Sequence, residues 1–379
     1  MMFVKSLYKK MSYKNRMLVF LLLISFVGSI YFVHNNHFLY ERPIAKVIKT
    51  NIEETTKVTD SNENEDQLYM QSIVAEVKNG KEKGKEIYLE NEYSRSKAFD
   101  NEFHVGNELF IKIDQDIDEG AKLTGTILDV KRDKYLMMIA WVFIFVLLLV
   151  GKRQGLLSII SLIVNAIILS YALDIYLQNS DQSLIWICCI SVILFTVISL
   201  LLVNGFNEKT FAAIIATLLG TFISLLITYI VLVLTDEKGL RYEELQFITR
   251  PYRVVFMAGL FIGSLGAVMD VAITMSSSLF SLYEKNNDIS IKALIKSGME
   301  IGRDIMGTMT NILFFAYVSG SIPILLLYFK NASPFGYTLS INLSLEMARA
   351  LAGGIGIVLT IPIGLYITIF FINRKRAKL

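Results

Sequence analysis

The stretch Val254-Val255-Phe256-Met257-Ala258-Gly259-Leu260-Phe261-Ile262-Gly263-Ser264-Leu265-Gly266-Ala267-Val268-Met269-Asp270-Val271-Ala272-Ile273-Thr274-Met275 contains one charged side chain, Asp270. An α-helix rises 1.5 Å per residue, so roughly 20 apolar residues cross the ~30 Å hydrocarbon core of a bilayer. The run therefore reads as a membrane span. A carboxylate at that depth costs about 2.5–3.5 kcal/mol on insertion scales, so Asp270 is expected to face protein or water and to have a function.

The same argument extends outward. At 54% hydrophobic residues and a mean hydropathy of +0.51, the 379-residue chain lies well above soluble composition. Apolar runs recur at Met17 to Val33 and at about 135–150, 155–173, 184–203, 210–234, 254–275, 305–329 and 347–372, which gives about eight spans. The first follows Lys5, Lys9, Lys10, Lys14 and Arg16 but lacks a small-residue cleavage site, so it reads as an uncleaved anchor. With the N-terminus inside, Lys152 and Arg153, Lys209, Lys285, Lys292 and Lys296, and the tail Arg374, Lys375, Arg376 and Lys378 all fall on the cytoplasmic side. The segment Asp174 to Ser183 on the opposite side carries no positive charge; Asp236 to Arg253 does, offset by Asp and Glu.

The expected organisation is a polytopic α-helical membrane protein with a small extracytoplasmic β-domain between its first and second spans. Residues 1–38 form the basic N-terminus and anchor, 39–134 the β-domain, and 135–379 a seven-span domain with a cytoplasmic C-terminus. Within 39–134, Ile73 to Val77, Glu86 to Leu89, Leu109 to Ile113 and Leu123 to Val130 carry strand patterns bounded by turn residues, which suggests an OB-like or other barrel. Thr55 to Asp66 is polar and expected to be mobile. Ile289 to Gly302 has an apolar face of Ile291, Leu294, Ile295 and Met299, the pattern of an amphipathic helix at the inner leaflet.

On a 3.6-residue helix Gly259, Gly263, Gly266, Asp270, Thr274 and Ser277 share one face. The glycines would permit close helix packing. In Gly302-Arg303-Asp304-Ile305-Met306-Gly307-Thr308-Met309-Thr310-Asn311, the residues Asp304, Gly307, Thr308 and Asn311 share a face, with Gly307 a further packing position. In an antiparallel neighbour Asn311 would lie near the depth of Asp270. The Asn311 amide or a snorkelling Arg303 could pair with the carboxylate, giving a closed structural network; the alternative is a site open to a solute. Gly353 and Gly354, and Gly320 with Pro323, mark helices that could unwind or kink along a cavity.

The two stretches 259–273 and 302–311, with the anchor and the β-domain, resemble the YibE/F family of bacterial multi-pass membrane proteins. The resemblance covers nearly the whole chain and implies a location in the bacterial cell membrane, with no assigned reaction. It departs from the family pattern at Ile312, where a Thr often follows the Asn.

Other chemistries are set aside by their missing motifs. His34, His37 and His104 form no HExxH pattern, Cys188 and Cys189 are adjacent in an apolar run, and no Walker A, dinucleotide or GxSxG signature occurs. No catalytic residue, metal site, cofactor or nucleic-acid partner is expected. The leading expectation is a secondary transporter or channel in which Asp270 binds or releases a proton or cation. Its alternative is a non-transporting scaffold or sensor whose β-domain docks a partner; an intramembrane enzyme is disfavoured because Asp270 lacks a second carboxylate at depth. The lipid bilayer, a second copy of the chain or another membrane subunit are the expected partners.

Overall fold

The computed structural model describes residues 13–97, 100–114, 122–178, 183–245 and 250–377. The expected basic positions Lys5, Lys9, Lys10 and Lys378 lie outside them, as do 179–182 and 246–249 of the two loops. The chain divides into two compact units, Met1–Leu147 and Leu148–Leu379.

The first unit begins with helix α1 (Tyr13–Asn35), followed by a short 3-10 turn, Asn36–Leu39. Strands β1 (Ile44–Thr59), β2 (Glu65–Val77), β3 (Glu86–Ser94), β4 (Glu108–Ile113) and β5 (Leu123–Val130) then close a barrel in the order β1-β2-β3-β5-β4. β3 and β5 pair parallel and the other neighbours antiparallel. That is the five-stranded Greek-key arrangement of an OB-type barrel. Ala45, Val47, Ile73, Ala75, Val77, Ile87, Leu89, Leu109 and Ile111 fill its interior. Gly125 sits where β5 is squeezed between its neighbours: a Cβ there would stand 3.0 Å from the Ile87 Cδ1 and would collide with the Lys112 carbonyl.

The polar stretch from Thr55 is not a mobile loop. Thr55 to Thr59 pair with Glu65 to Tyr69, extending the β1–β2 hairpin with mostly exposed side chains. β-Branched Thr55, Thr56, Val58 and Thr59 favour extended backbone, and the ladder satisfies the peptide groups without an apolar face. The turn closes where Asp60 Oδ1 accepts from the Asn62 and Asn64 amides, both at 2.8 Å.

Helix α2 (Asp133–Gln178) carries two of the expected apolar runs in one element, interrupted at Lys152, whose φ of 48° is left-handed. In the second unit follow α3 (Leu184–Asn204), α4 (Glu208–Leu234), α5 (Tyr252–Lys285), α6 (Ile291–Ser319), α7 (Ile322–Lys330) and α8 (Phe335–Arg376). Among the described residues, α2, α3, α4, α5 and α8 are long and apolar enough to cross a membrane, and α6 with α7 adds a sixth if that pair, bent by 55°, is one span. The bend falls at Gly320 and Ser321, ahead of Pro323 at the start of α7.

α8 packs against α4, α5 and α6. Val271, Met275 and Leu279 of α5, Leu294 and Leu313 of α6, and Ile357 to Ile372 of α8 build the shared core. The amphipathic segment at 291–302 is not a separate surface helix. It is the first part of α6, held in the bundle where Gly298 meets Leu365 and Gly302 meets Ile361.

Candidate functional site: an open polar face on two neighbouring helices

α5 and α6 run antiparallel through the short turn 286–290, and the Ser290 side chain caps α6 by accepting from the Ala293 amide at 3.2 Å. Two contacts fix their register. Gly263 lies against Tyr317, and Leu279, sixteen residues further along α5, lies against Gly298, nineteen residues earlier on α6. Asp270, seven residues past Gly263, is therefore level with about Thr308 and Met309, within a helical turn of Asn311. Depth matching between the two polar stripes thus follows from packing.

Both stripes are open. Gly259, Gly263, Gly266, Asp270 and Thr274 are exposed along α5, with Ser277 half-buried, and Arg303, Asp304, Gly307, Thr308 and Asn311 are exposed on α6. Flanking residues bury instead: Leu265, Val268, Val271, Ala272 and Met275 face the bundle. Thr308 bonds its own helix through the Ile305 carbonyl at 2.9 Å. Among the described residues Asp270, Arg303, Asp304 and Asn311 make no hydrogen bond or ion pair. The closed network of Asp270 with Asn311 or Arg303 is therefore not formed within this chain.

The glycines do not all serve close packing. A Cβ built at Gly259, Gly266 or Gly307 meets nothing within 4 Å, so these three leave the stripe bare rather than admitting a neighbouring helix of this chain. At Gly263 a Cβ would collide with the Tyr317 hydroxyl. Gly353 and Gly354, expected to line an unwound segment, lie instead in the continuous helix α8 and are buried. A Cβ at Gly353 would stand 2.7 Å from Leu313 Cδ1, and one at Gly354 3.5 Å from Thr310 Cγ2. Neighbouring side chains thus pack directly against the helix backbone at both glycines.

Tyr317 leads to residues that the sequence reading passed over. It lies within electrostatic reach of Glu346 and Arg349, which form an ion pair one turn apart on α8. The Arg349 guanidinium also lies 5.5 Å from the Phe256 ring centroid. Beyond it, Arg253 Nε is 3.1 Å from Glu237 Oε2, and Tyr242 packs 4.7 Å from Tyr252 and 5.8 Å from Phe256. Burial, then the Glu237 carboxylate, pushes the Tyr242 hydroxyl far above its ordinary range, so it stays neutral. A signal for this cluster existed: Arg349 falls inside the apolar run 347–372, where a charge carries the same cost as Asp270.

Inside the bundle, hydroxyls join the helices. Ser224 donates to the Ala352 carbonyl at 2.7 Å, and the Ser276 and Thr368 hydroxyls lie 3.0 Å apart. Gly220 makes room for Thr360. These contacts are satisfied and close-packed, whereas the α5 and α6 stripes remain accessible.

Residues 139–374 match the family model described as YibE/F-like protein, and residues 38–130 match that of the YibE/F family N-terminal domain. No curated protein and no solved structure matches the chain.

Proposed function

This chain belongs to the YibE/F family, with both its barrel and its helical part matched, and from the geometry of its α5 and α6 stripes we propose that it is a secondary transporter or channel in which Asp270 binds the moving ion or proton. One observation carries the reading: an ionisable side chain halfway along an apolar helix is exposed, lacks a partner among the described residues, and lies level with the hydroxyl and amide of Thr308 and Asn311. An exposed carboxylate at that depth is tolerable only against water, an ion or another polypeptide.

In the proposed topology α1, the segments of α2 on either side of Lys152, α3, α4, α5, the bent α6–α7 pair and α8 make eight spans. Both termini are then in the cytoplasm of a bacterial cell and the barrel lies outside, as the basic residues at 152–153, 209, 285–296 and 374–376 require. A non-transporting scaffold is the second reading. It is favoured by the exposed β1–β2 hairpin extending past the barrel core, a surface suited to docking.

The test is Asp270→Asn, which keeps the side chain's volume and hydrogen bonding but removes its charge. Whole-cell ion and metal content, compared between a deletion strain and strains complemented with either form, should match the deletion profile for the variant at normal abundance. A variant that complements fully removes Asp270 from the transport step. Unchanged contents on deletion under every condition favour the scaffold.

A further inference from the structure

The first unit holds two adjoining grooves that the transport reading does not use. The polar one, about 800 Å³, lies between the end of α1 and the barrel and is lined by His34, His37, Lys46, Lys78, Lys83 and Glu108 among others. The apolar one, about 90 Å³, lies between α1 and the start of α2 against Ile30, Val33, Met137 and Met138. His34 lines both.

The shape of the polar groove is fixed by Asn79. Its amide nitrogen shares its two N–H groups among the carbonyls of His37, Tyr40 and Arg42, each at 2.9–3.0 Å, while its oxygen accepts from the Ile44 amide at 2.6 Å. This ties the 3-10 turn after α1 to the β2–β3 corner.

The charge balance of the groove favours an anion. The Glu108 carboxylate is already held by Lys131 at 3.0 Å and approached by His37 at 3.4 Å, and Lys78 pairs with Glu76 at 2.6 Å. Lys46 and Lys83 are exposed and make no ion pair among the described residues, and they outnumber the one carboxylate of the lining that is likewise without an ion pair there, the exposed Glu41. Next to these lysines, Phe38 is 74% exposed and itself lines the groove. A cationic pocket that shares His34 with an apolar crevice, at the end of an apolar helix, matches a molecule with a charged head and a hydrocarbon chain.

We propose that these grooves bind an anionic phospho-amphiphile, its phosphate between Lys46, Lys83 and His34 and the first carbons of its chain against Ile30 and Met138. The groove lies where α1, read as a span, would reach lipid headgroups, so a membrane phospholipid is the natural source and free phosphate the competing one. Phosphate, with several acceptor oxygens, can engage both ammonium groups at once; His34, whose Nδ1 donates to the Ile30 carbonyl at 2.8 Å, has a second N–H to give it when the ring is protonated.

The experiment uses the full-length protein in an uncharged detergent and measures heats of binding for dihexanoyl-phosphatidylglycerol and for inorganic phosphate. The amphiphile should bind at least about tenfold more tightly than phosphate, and Lys46→Gln/Lys83→Gln should weaken it roughly tenfold or more, as expected on losing hydrogen bonds to a charged group. Met138→Glu should weaken the amphiphile while sparing any phosphate heat. Both lysines are exposed, so the double variant should keep the wild-type melting temperature. Absence of amphiphile binding, or undiminished binding by the lysine variant, overturns the site. Phosphate binding as tightly as the amphiphile overturns the apolar half and reassigns the groove to free phosphate. Because the probe is soluble and transport is not measured, failure here leaves the role of Asp270 untouched.

Discussion

Lys131 Nζ stands 3.0 Å from Glu108 Oε2, and the lysine is only 2% exposed. The same ammonium reaches Asp133 Oδ1 at 3.0 Å and donates to the Val33 carbonyl at 2.9 Å. Asp133 in turn accepts from Asn36 at 2.9 Å and Tyr40 at 3.1 Å. One buried cation thus joins the end of α1, strand β4 and the first turn of α2, making the barrel and its two flanking helices one unit.

Lys131→Met should therefore destabilise that unit by about 3–5 kcal/mol, because it strands the Glu108 and Asp133 carboxylates rather than merely losing an attraction. Adding Glu108→Gln should recover part of the loss. Denaturation of the full-length protein followed by the fluorescence of Trp141, which packs 5.3 Å from Phe26 in this unit, gives the readout; replacing Trp186 by Phe makes the signal specific. Equal stability of wild type and Lys131→Met would mean the cluster adds nothing.

Gly263→Val should destabilise the bundle by about 1–3 kcal/mol, since the new side chain displaces Tyr317 from its place across α5. Combining it with Tyr317→Ala should cost less than the two changes added. Gly266→Ala, with open space around the new methyl, should be neutral or stabilise by up to ~1 kcal/mol through helix propensity. Melting temperatures of the four variants, Tyr317→Ala alone included, decide this.

If the α5 and α6 stripes line a water-filled path, Thr274→Cys and Thr308→Cys should react with a small charged thiol reagent in membranes, once Cys188 and Cys189 are replaced by Ala. Val271→Cys, buried in the core, should stay unlabelled. In the same background Glu90→Cys on the barrel should label in intact cells. Protection of positions 274 and 308 would mean that lipid or protein covers the stripe, and labelling of position 90 only after permeabilisation would reverse the proposed orientation.

A weaker, pH-dependent contribution is expected on the barrel. The hydrogen bond from Lys97, at 2.5 Å, holds the Glu102 carboxyl below its ordinary range. A depressed carboxyl stabilises the fold above its unfolded pKa of about 4.3 and loses that contribution as pH falls through the lower folded value. The stability difference between wild type and Lys97→Met should accordingly be present at neutral pH and shrink below about pH 4. A difference that persists unchanged into acid would assign the effect to packing of the lysine stem.

Periodicity and run length made most of the architecture legible in the sequence. Apolar stretches of about 20 residues need no tertiary information to read as helices able to span a bilayer, and alternation within 73–130 marked the apolar strands of a barrel. The β1–β2 hairpin past Thr55 was hidden because its strands bury no face, and only pairing with each other makes them strands. The α2 runs and the 291–302 segment merged into longer helices because backbone hydrogen bonding continues through residues whose side chains suggest a boundary.

For the site, the sequence alone determined that Asp270 needs an explanation and that Thr274, Thr308 and Asn311 lie on faces able to share it, since both conclusions follow from the cost of a charge in hydrocarbon and the pitch of a helix. Only the tertiary structure decided that those faces are open, that Gly353 and Gly354 are packing positions, and that Tyr317 covers Gly263 of α5. The physical reason is that the helical wheel fixes which residues go together, whereas the direction each face points depends on which neighbour covers it, and that is settled by α8 filling the opposite side of both helices.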